Sequence, residues 1–200
     1  YILMILNFKK YFDSFDPEFT FWDPPVIRDY GGGKIIGRPT RGFGDGVFEY
    51  AGKLMDPEPW GAEDFMIPIK KKAEKLAGTI LGKDVNFTFC LCGYYSTNGE
   101  GLNHHTDTVP TEDDLVISIS FGAPRLFEWR EYNADIKKST NTSEVIQALH
   151  LLDYTTENYL LEHGDALVFD GKSQMRATHG IPDIKVPAGE RINMTFRSGI

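Results

Sequence analysis

The chain has 200 residues and a mass of 22.6 kDa, with 41% hydrophobic and 25% charged residues and a formal charge of −8. That composition belongs to one globular domain and excludes wholesale disorder, and no run of about 18 apolar residues is present to cross a membrane. The acidic balance works against general duplex binding, which needs Lys and Arg on the phosphates, and leaves a local basic face as the means of gripping nucleic acid.

Residues 1–6 are apolar but lack the basic flank and small-residue cleavage site of a signal peptide. As far as residue 60, Gly, Pro and aromatic residues punctuate the chain: Asp23-Pro24-Pro25, Gly31-Gly32-Gly33, Arg38-Pro39 and Pro57-Glu58-Pro59-Trp60. Short strands and ordered loops are expected there. From Glu63 the period changes. Phe65, Met66, Ile69, Ala73, Leu76 and Ile80 recur at three and four residues, with Lys70, Lys71, Lys72 and Lys75 in the gaps. The spacing predicts an amphipathic helix over 63–82, ended at Gly82, with Pro68 drawing its start downstream and the lysines on a solvated face.

Strand-like runs follow at 87–95, 115–121, 126–130, 159–162, 166–169 and 191–197, separated by turn residues such as Asn98-Gly99, Gly164-Asp165 and Ala188-Gly189. Cys90 and Cys92 alternate in the first run and so share a face. They are badly placed to bond to each other and read as buried thiols in a reducing compartment. Residues 137–144 are polar and are expected to form an exposed loop. Many strands and one helix indicate a mainly β sandwich or barrel with a helical buttress.

The last strand is the most informative. At period two, Ile192, Met194 and Phe196 fall on one side and Arg191, Asn193, Thr195 and Arg197 on the other. Two guanidinium forks in one row match the carboxylates of a small dianion. By itself the strand reads better as a solvent-exposed edge carrying surface arginines, because exposure is the default for Arg. The histidines alter that balance. His105-Thr106-Asp107 places an imidazole and a carboxylate on one strand face, and His179 follows much later. Two His and one carboxylate from separate strands suit a facial triad for non-haem Fe(II) with open coordination positions. His104 falls on the wrong face for Asp107. His150 sits in an apolar run and reads as a core or edge residue, and His163 sits in a turn.

These segments together resemble the AlkB family of Fe(II)/2-oxoglutarate dioxygenases. The resemblance is carried by His105-Thr106-Asp107, residues 161–169, Thr178-His179-Gly180-Ile181 and, most specifically, Arg191-Ile192-Asn193-Met194-Thr195-Phe196-Arg197. Residues 39–52 are similar to the family's nucleotide-recognition lid. The resemblance implies a double-stranded β-helix, or jelly roll, within a single domain over 1–200. Its parts are an N-terminal extension and lid over about 1–60, the helix over about 63–82 and the core over about 86–200. It implies that His105, Asp107 and His179 bind Fe(II). It implies too that Arg191 and Arg197 anchor 2-oxoglutarate, aided by Asn193 and by a strand tyrosine, Tyr95 ahead of Tyr94. The implied chemistry is oxidative dealkylation: oxygen and 2-oxoglutarate give succinate and carbon dioxide, an N-alkyl carbon is hydroxylated, and the hemiaminal releases an aldehyde. Tyr50 is expected to stack on the base, with Phe48 beside it and Arg38 and Arg41 lending the lid a basic character. The chain departs from the family pattern in two places. Thr108-Val109-Pro110 follows the His-x-Asp motif where many members have acidic residues, and Gly93 stands where many have Asn.

Three functions compete on these grounds. The first is an intracellular, monomeric oxidative demethylase of alkylated DNA or RNA, acting on single strands or a flipped base, in the cytoplasm or nucleus and without membrane attachment. The second is a 2-oxoglutarate-dependent hydroxylase of a protein side chain or small molecule. The third is a non-catalytic β binding module.

Overall fold

A computed structural model describes residues 5–25, 27–30, 33–50, 53–107, 111, 113–136 and 152–198, with the side chains of 27–30, 33–36, 49, 50 and 53 outside that description. His150, Thr108-Val109-Pro110 and the loop expected at 137–144 lie outside the described residues. The chain begins with β1 (Leu6–Phe8), the hairpin of β2 (Ile27–Tyr30) and β3 (Gly33–Ile36), β4 (Thr40–Gly44), and the hairpin of β5 (Phe48–Tyr50) and β6 (Lys53–Met55). The helix α1 (Met66–Leu81) follows. After it come β7 (Phe89–Tyr95), β8 (Leu102–His105), β9 (Leu115–Gly122), β10 (Arg125–Tyr132), β11 (Tyr154–Leu161), β12 (Ala166–Asp170), β13 (Ala177–Ile181) and β14 (Arg191–Arg197).

Eight of the strands from β7 onward, with β1 and β4, make two antiparallel sheets. The larger has the order β1-β12-β9-β14-β7-β4 and the smaller the order β11-β10-β13-β8. This is the jelly roll expected from the sequence, with one helix against its larger sheet. The two edge strands of the larger sheet, β1 and β4, come from the segment read as an extension. Leu6 pairs with Val168, and Phe43 with Cys90.

The period of two decides which way each strand faces. On β14, Met194 and Phe196 join Ile117 and Ile119 of β9 and Cys90 and Cys92 of β7 in an apolar layer beneath α1. The helix contributes Met66, Ile69, Ala73, Leu76 and Ala77 to that layer. Burying each large aliphatic side chain there is worth about 1.5–3 kcal/mol. On the opposite face of the same sheet, Tyr95, Val116, Leu167 and Phe169 meet Phe127, Trp129, Ala177 and Ile181 of the smaller sheet in a second core. β14 lies between β9 and β7, so it is no edge, and its arginines point into the roll.

The helix starts three residues later than the expected bound at 63. Pro68 sits in the first turn, where its missing N–H costs nothing. Gly82 ends it in the left-handed conformation at φ 66°, its N–H bonded to Gly78 O at 2.8 Å. Two of the lysines expected to be solvated have partners. Lys70 bonds Glu74 and Asn86, and Lys72 lies 4.8 Å from the centre of the Tyr11 ring. Both cysteines are fully buried and unpaired, their sulfurs 3.7 Å apart. β8 and β13 lie outside the strand-like runs of the sequence. Their residues, Leu-Asn-His-His and Ala-Thr-His-Gly-Ile, carry little of the β-branched signal, and they are extended because each pairs with the other.

Candidate metal centre and anion pocket

β8 and β13 run antiparallel with His105 directly opposite His179, ring centres 4.4 Å apart. Asp107 lies two residues past the end of β8, and its backbone N–H donates to Gln174 Oε1 at 2.5 Å. That bond turns the carboxylate toward both imidazoles. His105 Nε2 lies 3.7 Å from Asp107 Oδ1, and His179 Nε2 lies 3.7 Å from Asp107 Oδ2. All three donor groups fall within 4.8 Å of one another. His179 is wedged against Phe127 (5.4 Å), Trp129 (6.1 Å) and Phe169 (5.1 Å), which fix its ring. His105 is 35% exposed and Asp107 11%, so the cluster opens to solvent on the His105 side.

The protonation pattern fits a cation. His105 Nδ1 faces the Asn103 carbonyl at 2.9 Å; a carbonyl only accepts, so Nδ1 carries the proton and Nε2 presents a lone pair toward Asp107. Burial pushes both imidazoles down, His179 to about 3, so they are neutral at physiological pH. Burial would raise the Asp107 carboxyl, yet Arg197 first, then His179, His105 and Arg38, hold it at about 2. Lone pairs and a carboxylate converging without a hydrogen between them make a site for a divalent metal.

Behind the cluster is a cavity lined by Arg38, Tyr95, Ser118, Asn193, Thr195 and Arg197. Arg191 and Arg197 are 1% and 2% exposed. Arg191 Nη2 donates to Ser120 Oγ and Asn193 Oδ1, both at 2.9 Å, while its Nε and Nη1 are buried without a partner. Arg197 Nη1 lies 3.4 Å from Asp107 Oδ1. Asn193 Oδ1 also accepts from Ser118 Oγ at 3.1 Å, and its amide donates to Thr195 at 2.8 Å, so Asn193 holds the row in register. The Tyr95 ring lies between two guanidinium groups, Arg191 at 4.7 Å and Arg38 at 4.9 Å. Three guanidinium groups against one carboxylate leave a buried positive excess, and a small dianion matches it in charge and in donor geometry.

The expected lid residues are placed differently from one another. Arg41 is 1% exposed on β4, bonded to Glu58 (2.8 and 2.7 Å) and to Glu63, with the Phe21 ring 4.0 Å away. It is a structural clamp facing away from the cavity, and the expectation that it lends the lid positive charge is corrected here. Phe48 is 4% exposed and stacked on Phe89 at 3.7 Å, with the Arg197 guanidinium 5.5 Å from its ring centre. Tyr50 keeps its place in β5, with its side chain outside the described residues. His104 is turned outward, bonded to Thr178 and Glu128 at 3.1 Å each, and His163 holds the Phe15 carbonyl and the Gly122 N–H. Ser118 and Ser120 belong to a run, residues 118–122, that resembles the family's core strand pair, though the sequence gives them no role at the site; nothing local in the sequence marks Gln174.

A roll of this topology with a His-Asp-His cluster beside a cationic cavity is the architecture of a metal-dependent, 2-oxo-acid-using oxygenase. The chain belongs to the 2OG-Fe(II) oxygenase superfamily, as an AlkB-like member; the family's model matches residues 46–197. It is similar to the alpha-ketoglutarate-dependent dioxygenase alkB homolog 3 of Bos taurus, 28% identical over 80% of this chain and 51% of that protein. It is also similar to the DNA oxidative demethylase ALKBH2 of Arabidopsis thaliana, 26% identical over 98% of this chain and 65% of that protein. The solved structure of OsALKBH1 superposes with a TM-score of 0.59 over 97% of both chains, at 19% identity, and so speaks for the fold. The chain spans about half the length of the alkB homolog 3 proteins it matches. Fe(II) and 2-oxoglutarate are the metal and co-substrate of this family, and the donor set here fits both.

Proposed function

We propose that the chain catalyses Fe(II)- and 2-oxoglutarate-dependent oxidative dealkylation of N-alkylated bases in DNA or RNA. The observation that carries the reading is the convergence of His105, Asp107 and His179 within 4.8 Å on a cavity that Arg38 and Arg197 also line, with Arg191 buried against the Tyr95 ring of the same wall. The relatives described as a DNA oxidative demethylase and as alkB homologs support the choice of substrate.

His105, Asp107 and His179 hold Fe(II), and Arg191 and Arg197 hold 2-oxoglutarate. Bound together with oxygen, these groups supply the oxidant that hydroxylates an N-alkyl carbon, whose hemiaminal then sheds an aldehyde. The protein's own contribution is position and dryness. Arg197, at the end of β14, pairs with Asp107, just past β8, and so ties the metal ligand to the co-substrate wall across the two sheets. Phe127, Trp129 and Phe169 close the inner side against water. The open side at His105 is the entry for an alkylated base, which must leave its stack to reach the metal. A single strand, or a base already flipped, meets that requirement with least cost. Tyr50 stacks on the entering base. The protein acts as a monomer inside the cell, where Cys90 and Cys92 stay reduced.

Turnover of 2-oxoglutarate with and without oligonucleotides carrying 1-methyladenine or 3-methylcytosine tests the reading. Stimulation by the methylated strand, with loss of the methyl mass and abolition in His105→Ala, is expected. Turnover that no nucleic acid stimulates would transfer the activity to a protein side chain or small molecule. A Tyr50→Ala variant is expected to raise KM for the oligonucleotide while leaving unstimulated turnover unchanged.

A further inference from the structure

Arg38 was expected on the lid as a contact to nucleic acid. Its guanidinium instead fills the space beside Gly93 on β7. A Cβ added to Gly93 would stand 2.3 Å from Arg38 Nε and 3.1 Å from Cζ and Nη2. No real side chain fits there while Arg38 stays, so the glycine admits the arginine. Gly93 pairs with Asn193 of β14, which puts this space in the floor of the anion pocket. Arg38 lines the same cavity as Asp107, Asn193 and Arg197 and lies on the Tyr95 ring at 4.9 Å, with Arg191 also against that ring. Its Nε is buried with no acceptor, and among the described residues no carboxylate pairs with it. A guanidinium brought into a cavity whose carboxylate, Asp107, already pairs with Arg197 is placed for a further anionic ligand.

We infer that Arg38 is a third anchor for the 2-oxoglutarate dianion, reaching the pocket across Gly93 from the segment before β4. The inference rests on the oxygenase reading above and deepens it. The loop ahead of the larger sheet thereby becomes part of the co-substrate site, and the strength of co-substrate binding depends on one side chain outside β14.

The experiment is calorimetric titration of 2-oxoglutarate into Mn(II)-loaded protein without oxygen, so that no turnover is read. Arg38→Gln is expected to weaken binding by about tenfold or more, the scale of one charge-assisted contact, with Mn(II) affinity unchanged. Gly93→Ala is expected to weaken it similarly by expelling the guanidinium, and Arg38→Lys to retain part of the affinity. In the double variant, Gly93→Ala is expected to add nothing to Arg38→Gln, because both remove the same contact. Wild-type affinity in Arg38→Gln, or additive losses in the double variant, would overturn the inference. So would loss of oligonucleotide binding by Arg38→Gln with 2-oxoglutarate binding intact. Wild-type protein that takes Mn(II) but not 2-oxoglutarate would overturn the oxygenase reading itself, a result distinct from any of these.

Discussion

Gln174 shows how one side chain without chemistry of its own sets the metal site. It is 1% exposed, and its Oε1 accepts the backbone N–H of Asp107. Removing it leaves that N–H buried and unpaired and frees the carboxylate to turn. Gln174→Leu keeps the volume and deletes the acceptor. Its Mn(II) affinity is expected to fall by about 10-fold or more, as for other groups that orient a metal ligand. Paramagnetic titration of Mn(II) measures this, and a merely structural role would lower the unfolding midpoint without shifting metal affinity. Arg38 and Arg41 make the complementary point. They are three residues apart and chemically identical, yet one enters the anion pocket and the other clamps the far side of the sheet. The difference lies in Gly93, Glu58 and Glu63, none of which is local to both.

At the scale of elements, β4 and the segment leading into α1 are joined through Arg41. Its guanidinium pairs with Glu58 and Glu63 and lies against Phe21 and Phe43 at 4.0 and 5.0 Å. Arg41→Leu strands the Glu63 carboxylate in a buried position. A loss of about 3–5 kcal/mol in urea unfolding is expected, with KM for oligonucleotide unchanged in the folded fraction. The N-terminal segment is tied down by a second pair. Asp165 is fully buried and accepts from Lys9 Nζ at 2.7 Å and from the backbone N–H of Lys10 and Glu162 at 2.8 and 2.9 Å. Burial alone would raise this carboxyl, but those bonds hold it below its ordinary value of 3.8. A depressed folded value means the contribution is complete above the unfolded value and lost as pH falls through the folded one. The clasp is therefore expected to be constant at neutral pH and to loosen only in acid, below the ordinary carboxylate value. Unfolding midpoints measured against pH check this, and Asp165→Asn is expected to flatten that acid slope.

On the scale of the whole molecule, the charge of −8 and the direction of the arginines act together. Arg41, Arg125, Arg191 and Arg197 are all buried, so four of the 21 Lys and Arg are spent inside the fold rather than on an outer phosphate face. Affinity for unmodified duplex at physiological salt is expected to be weak, with a dissociation constant of about 100 μM or more, the soft end of non-specific binding. Fluorescence anisotropy against salt checks this; tight, steeply salt-dependent duplex binding would contradict it. The sheets impose a second constraint. Because β1 and β4 edge the larger sheet, residues 1–60 do not detach from the core as a unit. Deleting residues 1–13 removes β1 and Phe12, bares the β12 edge and is expected to lower the unfolding midpoint and promote association.

Much of this was legible in one dimension, for reasons that are local. The two-residue period of β14 placed four polar side chains on one face and three apolar ones on the other, whatever the strand packed against. The helix announced itself through Ile69, Ala73 and Leu76, and the His-x-Asp spacing with a later His carried the metal ligands. The rest depended on contacts between residues distant in the chain. β8 and β13 are strands because they pair with each other. The arginine row of β14 faces a cavity and not water because the smaller sheet closes over that face of the larger one. Arg38 belongs to the anion pocket because a glycine 55 positions later leaves it room. Periodicity is a property of neighbouring residues and survives in sequence; which face becomes an interior, and which charge meets which partner, is settled only when separate strands close on one another.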